Sequence, residues 1–182
     1  KLSLNYLQNI AVYMKIINLS KNFFIFIIYF LFFLNNYSYS LTLKKTSVTL
    51  DNPWGMSWMD DSNLLITQKS GEIFNVNTND YTKTKIDHKI PFIQHGQGGL
   101  LDITIEKNIV WVTGSIKKKG KYTTAIFRAE FKNDKLINEK LIYEAIPYFD
   151  NGKHFGSRIE ILDDYLFISI GERGKGMIDQ DP

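Results

Sequence analysis

Residues 96–131 read GQGGLLDITIEKNIVWVTGSIKKKGKYTTAIFRAEF, and this stretch decides the fold. Leu100–Ile105, Ile109–Ser115 and Tyr122–Phe131 are short runs rich in β-branched and aromatic residues, separated by turn-forming residues. None of them carries a helical period of 3.6, and Thr124–Phe131, the nearest approach to one, has the aromatic and β-branched neighbours of a strand. Between the second and third runs, Lys117-Lys118-Lys119 with Lys121 beyond Gly120 is the only basic cluster, and it reads as a solvated hairpin tip. The same texture continues on both sides, with β-type runs expected at Leu41–Leu50, Asn63–Thr67, Glu72–Val76, Leu136–Tyr143, Ser157–Leu162 and Tyr165–Ile170. The chain is therefore expected to be an antiparallel all-β protein.

A loose repeat organises these runs. Asn52-Pro53-Trp54-Gly55-Met56-Ser57-Trp58, Gly96-Gln97-Gly98-Gly99-Leu100-Leu101-Asp102 and His154-Phe155-Gly156-Ser157-Arg158-Ile159-Glu160 each set glycine just before an apolar strand. The spacing from one motif to the next holds three or four strands, the size of one propeller blade. On this reading the chain carries two blades and the start of a third. In an antiparallel blade the innermost strand begins and the second strand ends at the same end of the molecule. Five segments, 51–54, 68–71, 95–99, 152–156 and 171–174, are thus expected to crowd one face around the channel. Glycine in most of them allows sharp turns and close approach to a ligand.

The first forty residues follow another rule. Met14, a possible start, is followed by Lys15 and Lys21, then by the twelve-residue apolar stretch FFIFIIYFLFFL from Phe23 to Leu34, then by Asn35-Asn36-Tyr37-Ser38-Tyr39-Ser40. That order is the basic, apolar and polar sequence of a secretory leader, with small residues at Ser38 and Ser40 placed for cleavage before Leu41. A membrane-spanning helix needs about 20 apolar residues, so the run is too short for an anchor. Residues 1–40 read as upstream sequence and signal peptide, 41–182 as the mature propeller portion of a longer chain, and the expected location is periplasmic or secreted, without stable membrane insertion after cleavage. Three of the 22 basic residues and none of the 19 acidic ones fall in the first forty, so the mature part is formally neutral and carries no nucleic-acid footprint. There is no cysteine, which excludes thiol catalysis and cysteine metal sites.

Pro53-Trp54-Gly55-Met56, GQGGLLD at Gly96–Asp102, His154-Phe155-Gly156-Ser157-Arg158 and Gly171-Glu172-Arg173-Gly174 occur in this order. In them the chain resembles the soluble glucose/sorbosone dehydrogenases, most closely the periplasmic aldose sugar dehydrogenases, over roughly residues 48–182. The resemblance implies a six-bladed β-propeller of which this chain holds about the first two and a half blades. It also implies oxidation of aldose sugars at the anomeric carbon with pyrroloquinoline quinone (PQQ) and calcium, the electrons passing to an external acceptor.

Within that resemblance His154 is the expected general base, since a sugar hydroxyl must lose its proton as hydride leaves carbon and a neutral imidazole suits that task. Taken alone, the same histidine could simply cap a loop. Gln97 offers an amide able to donate and accept, a candidate contact to substrate and to cofactor, or a turn residue between glycines. Arg158 could pair with a cofactor carboxylate or equally with Glu160, Asp163 or Glu172. Glu172 and Arg173 share that ambiguity. Lys153, a candidate substrate contact, stands where glucose-oxidising relatives carry an acid, so glucose preference does not follow. His95 is a weaker candidate base, and His88 has no supporting context. Trp54, Trp58 and Phe155 read as core or rim packing. Gln68-Lys69-Ser70-Gly71 departs from the Glu-Arg-Ser-Gly type of segment usual at this place. The rival reading is a non-catalytic exported propeller that binds carbohydrate or protein on the same face. No metal ligand is assigned within these residues, and residues 41–182 alone are expected to expose sheet edges.

Overall fold

The computed structural model describes residues 20–27, 29, 30 and 41–176. The chain divides into two compact units, Lys1–Lys45 and Thr46–Pro182. In the first, the described residues of 20–30 are helical, with Phe23, Phe24, Phe26 and Phe30 largely exposed. Among the described residues no helix is long and apolar enough to cross a membrane. Met14 and the expected cleavage position at Ser38–Ser40 lie outside the described residues.

The second unit is all antiparallel β-structure. β1 (Pro53–Trp58), β2 (Asn63–Gln68), β3 (Ile73–Asn77) and β4 (Lys83–Ile86) form one sheet in sequence order. A second sheet has the same order in β5 (Leu100–Glu106), β6 (Ile109–Lys118), β7 (Lys121–Lys132) and β8 (Lys135–Glu144). β9 (Gly156–Leu162) and β10 (Tyr165–Ile170) form a two-stranded third. Strand β1 lies against β5, and β5 against β9, so the first strands of the three sheets stand side by side. This is the arrangement of consecutive propeller blades, two complete and one begun.

Local chemistry explains the hairpins. Between Lys118 and its partner Lys121, Lys119 and Gly120 take φ of 49° and 80°. Two left-handed residues make the tight turn whose twist matches that of the flanking strands. The basic cluster is an exposed hairpin tip, as expected. Asn133 and Asp134, with φ of 51° and 55°, turn β7 into β8 in the same way.

The main core lies where the first two sheets face one another. Leu65, Ile73 and Ile86 of the first pack in one cluster with Leu100, Ile103, Val110, Val112 and Phe127 of the second, all at 2% exposure or less. Each such side chain contributes about 1.5–3 kcal/mol by leaving water.

Two elements differ from the sequence reading. β4 is a strand although Lys83-Thr84-Lys85-Ile86 buries only its last residue; its pairing with β3, not its composition, holds it. Leu41–Leu50, read as a β-type run, is not a strand. Its end crosses over the first sheet, where Val48 and Leu50 cover Ile66, Phe74 and Val76, and so offers that sheet a side-chain lid rather than a ladder of backbone partners.

Candidate active site

The five segments meet at one end of the three sheets, joined by a continuous series of hydrogen bonds. Asp51 N–H donates to Gln68 Oε1 at 2.7 Å, and Lys69 N–H to Asn52 C=O at 3.1 Å, which ties the approach to β1 to the end of β2. Lys69 Nζ then donates to Gly96 C=O at 2.6 Å, and Leu100 N–H to Lys69 C=O at 3.2 Å. Gln97 N–H reaches Gly152 C=O at 2.7 Å. The last link runs from Arg173 N–H to His154 C=O at 3.1 Å and from Gly171 N–H to Phe155 C=O at 3.3 Å.

His154 is held from three sides. Its backbone N–H donates to Gln97 Oε1 at 2.8 Å, its C=O accepts from Arg173, and its ring Nδ1 pairs with Glu172 Oε1. The residue sits at φ 49°, a left-handed conformation uncommon outside glycine and frequent at functional sites. Gly171 makes the close approach possible, because a Cβ there would stand 2.1 Å from His154 C=O. Gly156, at φ 70°, turns the chain out of this loop into β9.

The electrostatics assign the ring's roles. The hydrogen bond from His154 is the foremost cause that lowers the Glu172 carboxyl below its ordinary range. An ionised carboxylate only accepts, so the ring Nδ1 donates to it. The ring is about half exposed while Glu172 is mostly covered. The arrangement can take a proton at Nε2 and stabilise the resulting imidazolium from behind.

The other expected residues divide. Gln97, exposed, belongs to the site, and one of its amide ends positions His154. Lys153 is exposed beside His154, its N–H bound to Asn151 Oδ1 at 3.2 Å. Arg158 stands two residues inside β9 and pairs with none of Glu160, Asp163 and Glu172. Its Nη1 is 3.4 Å from Oδ1 of Asp102 in the neighbouring sheet. Asp102 is buried and also accepts from Ile159 N–H at 2.8 Å, so the pair ties the second sheet to the third. Phe155 is core, whereas Trp54 and Trp58 lie exposed along β1.

The ring of His95 stacks on Tyr122 with centroids 4.0 Å apart, and His88 Nε2 bonds Gly71 C=O at 2.7 Å. Arg173 is buried, its guanidinium bound to Gly171 C=O and lying 5.4 Å from the Phe149 ring centroid. Gln68 is buried between Asp51 and Glu72, and so takes a structural place in the departing segment. Sequence reasoning missed Lys69, whose ammonium enters the site through Gly96, and the pairing of Glu172 with His154. Among the described residues no three of His, Asp and Glu are grouped closely enough to hold a metal ion.

Comparison with known proteins identifies the fold and the family. A soluble aldose sugar dehydrogenase from Escherichia coli, solved in its apo form, is 28% identical, with a TM-score of 0.63 over 69% of this chain and 39% of that one. The PQQ-bound form of an aldose sugar dehydrogenase from Streptomyces coelicolor shares the fold at 24% identity, with a TM-score of 0.65 over 76% of this chain and 43% of that one. An uncharacterised protein of Synechocystis is 32% identical over 69% of this chain and 34% of its own length. The chain thus spans about two fifths or less of these relatives, and its sheets are blades of their β-propeller. The family model described as Glucose / Sorbosone dehydrogenase matches residues 50–182, and the chain belongs to that family.

Proposed function

We propose that the whole protein oxidises an aldose sugar at its anomeric carbon with PQQ, and that His154 is the general base. The observation that carries this reading is the Glu172–His154 pair, which takes Nδ1 of a half-exposed ring in a loop held by Gln97 and Arg173. Bound PQQ would supply the electron sink for the hydride leaving carbon. His154 Nε2 takes the hydroxyl proton as that C–H bond breaks and the carbonyl of the lactone forms. Glu172 stabilises the imidazolium, and a positioned base of this kind is worth about a hundredfold to ten-thousandfold in rate.

The donors present fit part of such a cofactor. The exposed Gln97 amide and the Lys69 ammonium belong to the same joined loops and match quinone or hydroxyl oxygens and anionic groups. Arg158 fits less well, because its guanidinium is turned to Asp102. Calcium has no carboxylate cluster among the described residues, and no step is assigned to it. Lys153 and Gln97 are the proposed substrate contacts.

We also propose export, with the leader trimmed near Ser40. Lys15, Lys21 and the apolar run, helical over its described residues, support this. Mass spectrometry of periplasmic protein should find an amino terminus at about Leu41; protein retaining the leader contradicts it. The functional test is dye-linked oxidation of a panel of aldoses by the full-length protein loaded with PQQ and calcium. PQQ-dependent turnover of at least one aldose is expected. Sugar binding without turnover on any of them would instead favour the non-catalytic propeller.

A further inference from the structure

The second sheet carries an arm that the first and third lack among the described residues. At the loop end, Pro53 of β1 pairs with Gln68, where β2 stops, and Gly156 of β9 pairs with Ile170, where β10 stops. Leu100 of β5 pairs with Gly114, but β6 runs on to Lys118, and β7 returns from Lys121. Four further residues at the rise of a strand lift this hairpin by roughly 13 Å beyond that level. It rises at the end where the His154 loop lies, not from the side faces on which sheets stack. Lys117, Lys118, Lys119 and Lys121 all belong to it.

Directly opposed residues of a ladder share a face, so Lys117 lies with Tyr122 on one side of the arm and Lys118 with Lys121 on the other. The two sides differ in their partners. Lys118 Nζ pairs with Glu144 at 3.1 Å, and the other oxygen of that carboxylate accepts from the Tyr148 hydroxyl at 2.6 Å. On the Lys117 side the Tyr122 ring stacks on His95, two residues before Gln97, and its centroid lies 5.4 Å from the Lys117 ammonium. Tyr122 and Phe149 exchange backbone hydrogen bonds at 2.6 and 2.9 Å. From Phe149 the chain runs through Gly152, whose C=O accepts from Gln97 N–H, to Lys153 and His154. The arm is thereby joined to the His154 loop.

Segments 95–99, 115–124, 144–156 and 171–176 hold seven Lys and Arg against three Asp and Glu, in a chain whose residues 41–182 are formally neutral, so positive charge is gathered at this end. The three carboxylates are already committed: Glu144 to Lys118, Asp150 to Lys175 at 3.6 Å, and Glu172 to His154. Lys117, Lys119, Lys121 and Lys153 have no carboxylate partner among the described residues. Like charges gathered without counter-charges raise the local potential and draw anions to the site they border. We propose that the aldose taken at His154 is the reducing end of an acidic, uronate-bearing oligosaccharide, whose carboxylates are held by Lys153 beside the base and by Lys117 and Lys119 along the arm. This rests on the proposed oxidation only for setting the reducing end, the one free anomeric carbon of such a chain, at His154. Lys119 stands at the far end of the arm, so a longer chain meets more of these cations than a single sugar does. The row of cations begins at the residue next to the base, which favours a substrate over a protein docked on the arm alone.

The test is calorimetric titration of the full-length protein, without added cofactor, with trigalacturonate and maltotriose whose reducing ends have been reduced to alditols, so that binding is read apart from turnover. The acidic trimer should bind about tenfold more tightly at low salt, as two or three exposed ion pairs together supply, and lose that advantage at high ionic strength. Lys117→Gln combined with Lys119→Gln should remove most of the advantage. Lys132→Gln, an exposed lysine at the opposite end of β7, should keep it. Equal binding of the two trimers, or an advantage that Lys132→Gln lowers as much as the arm substitutions do, overturns the proposal. Trimer binding indifferent to the arm, with arm-dependent binding of the acidic probe succinylated cytochrome c, overturns it in favour of a protein partner. The expected binding without PQQ-dependent turnover of any aldose supports the acidic site and contradicts the oxidation instead.

Discussion

His154 has its Nδ1 taken by a carboxylate, and its side chain is about half exposed. Glu172 should therefore matter through His154. Glu172→Gln keeps a hydrogen-bond acceptor but removes the charge behind the developing imidazolium. It should lower kcat by about tenfold or more, at the low end of what a positioned acid–base pair supplies, with little change in KM. An unchanged kcat contradicts the pairing. The sign for folding follows from the lowered Glu172 carboxyl: its contribution to holding the loop is fully present above the ordinary carboxylate range of about 4.3 and is lost as pH falls through the lowered value. His154 and Gln97 were legible in the sequence because each stands inside a specific motif. The partners of His154 and Arg158 were not. Glu172 lies 18 residues beyond His154 and is brought to it by the pairing of β9 with β10, while Asp102 lies 56 before Arg158 and meets it only through the packing of the second sheet against the third.

At the scale of elements, β-type runs bounded by turn residues located eight of the ten strands to within a few residues, β1 being implied by its motif and β4 missed because polar Lys83-Thr84-Lys85 gives no such run. Leu41–Leu50 shows the converse: a β-type run without a neighbouring edge makes a covering segment, not a strand. The β-bulges of β1 and β5, opposite Thr67 and Thr113, have no signature in the sequence, since both read as ordinary strand threonines. Their burial predicts a measurable cost. Thr113→Val removes the acceptor of Asp102 N–H within the second sheet and the donor to Ser157 C=O of the third. Leaving such groups buried and unpaired costs about 1–3 kcal/mol. The denaturant midpoint of the full-length protein should fall accordingly with an unchanged slope. Full stability in Thr113→Val would show that the junction rests on apolar packing alone.

For the whole molecule, the repeat of glycine-bearing segments foretold that five loops would share one face, and the hydrogen-bond series from Asp51 to Arg173 joins them there. What the repeat could not foretell is how much each sheet depends on its neighbour. Trp54, Met56 and Trp58 at one end, and Leu162, Tyr165 and Phe167 at the other, are all 47% exposed or more. Residues 41–182 produced alone should accordingly melt over a broad range or aggregate, as a solenoid-like array without its caps does. A sharp, reversible melt of a monomer would contradict the view that these faces are meant to be covered.

The central claim is that this shared face does chemistry through one imidazole, and the most direct measurement compares wild-type and His154→Ala full-length protein, both loaded with PQQ and calcium, in dye-linked aldose oxidation with quinone occupancy followed by absorbance. The predicted result is a loss of about a hundredfold to ten-thousandfold in kcat with quinone occupancy retained; aldose oxidation at the wild-type rate by His154→Ala would contradict it.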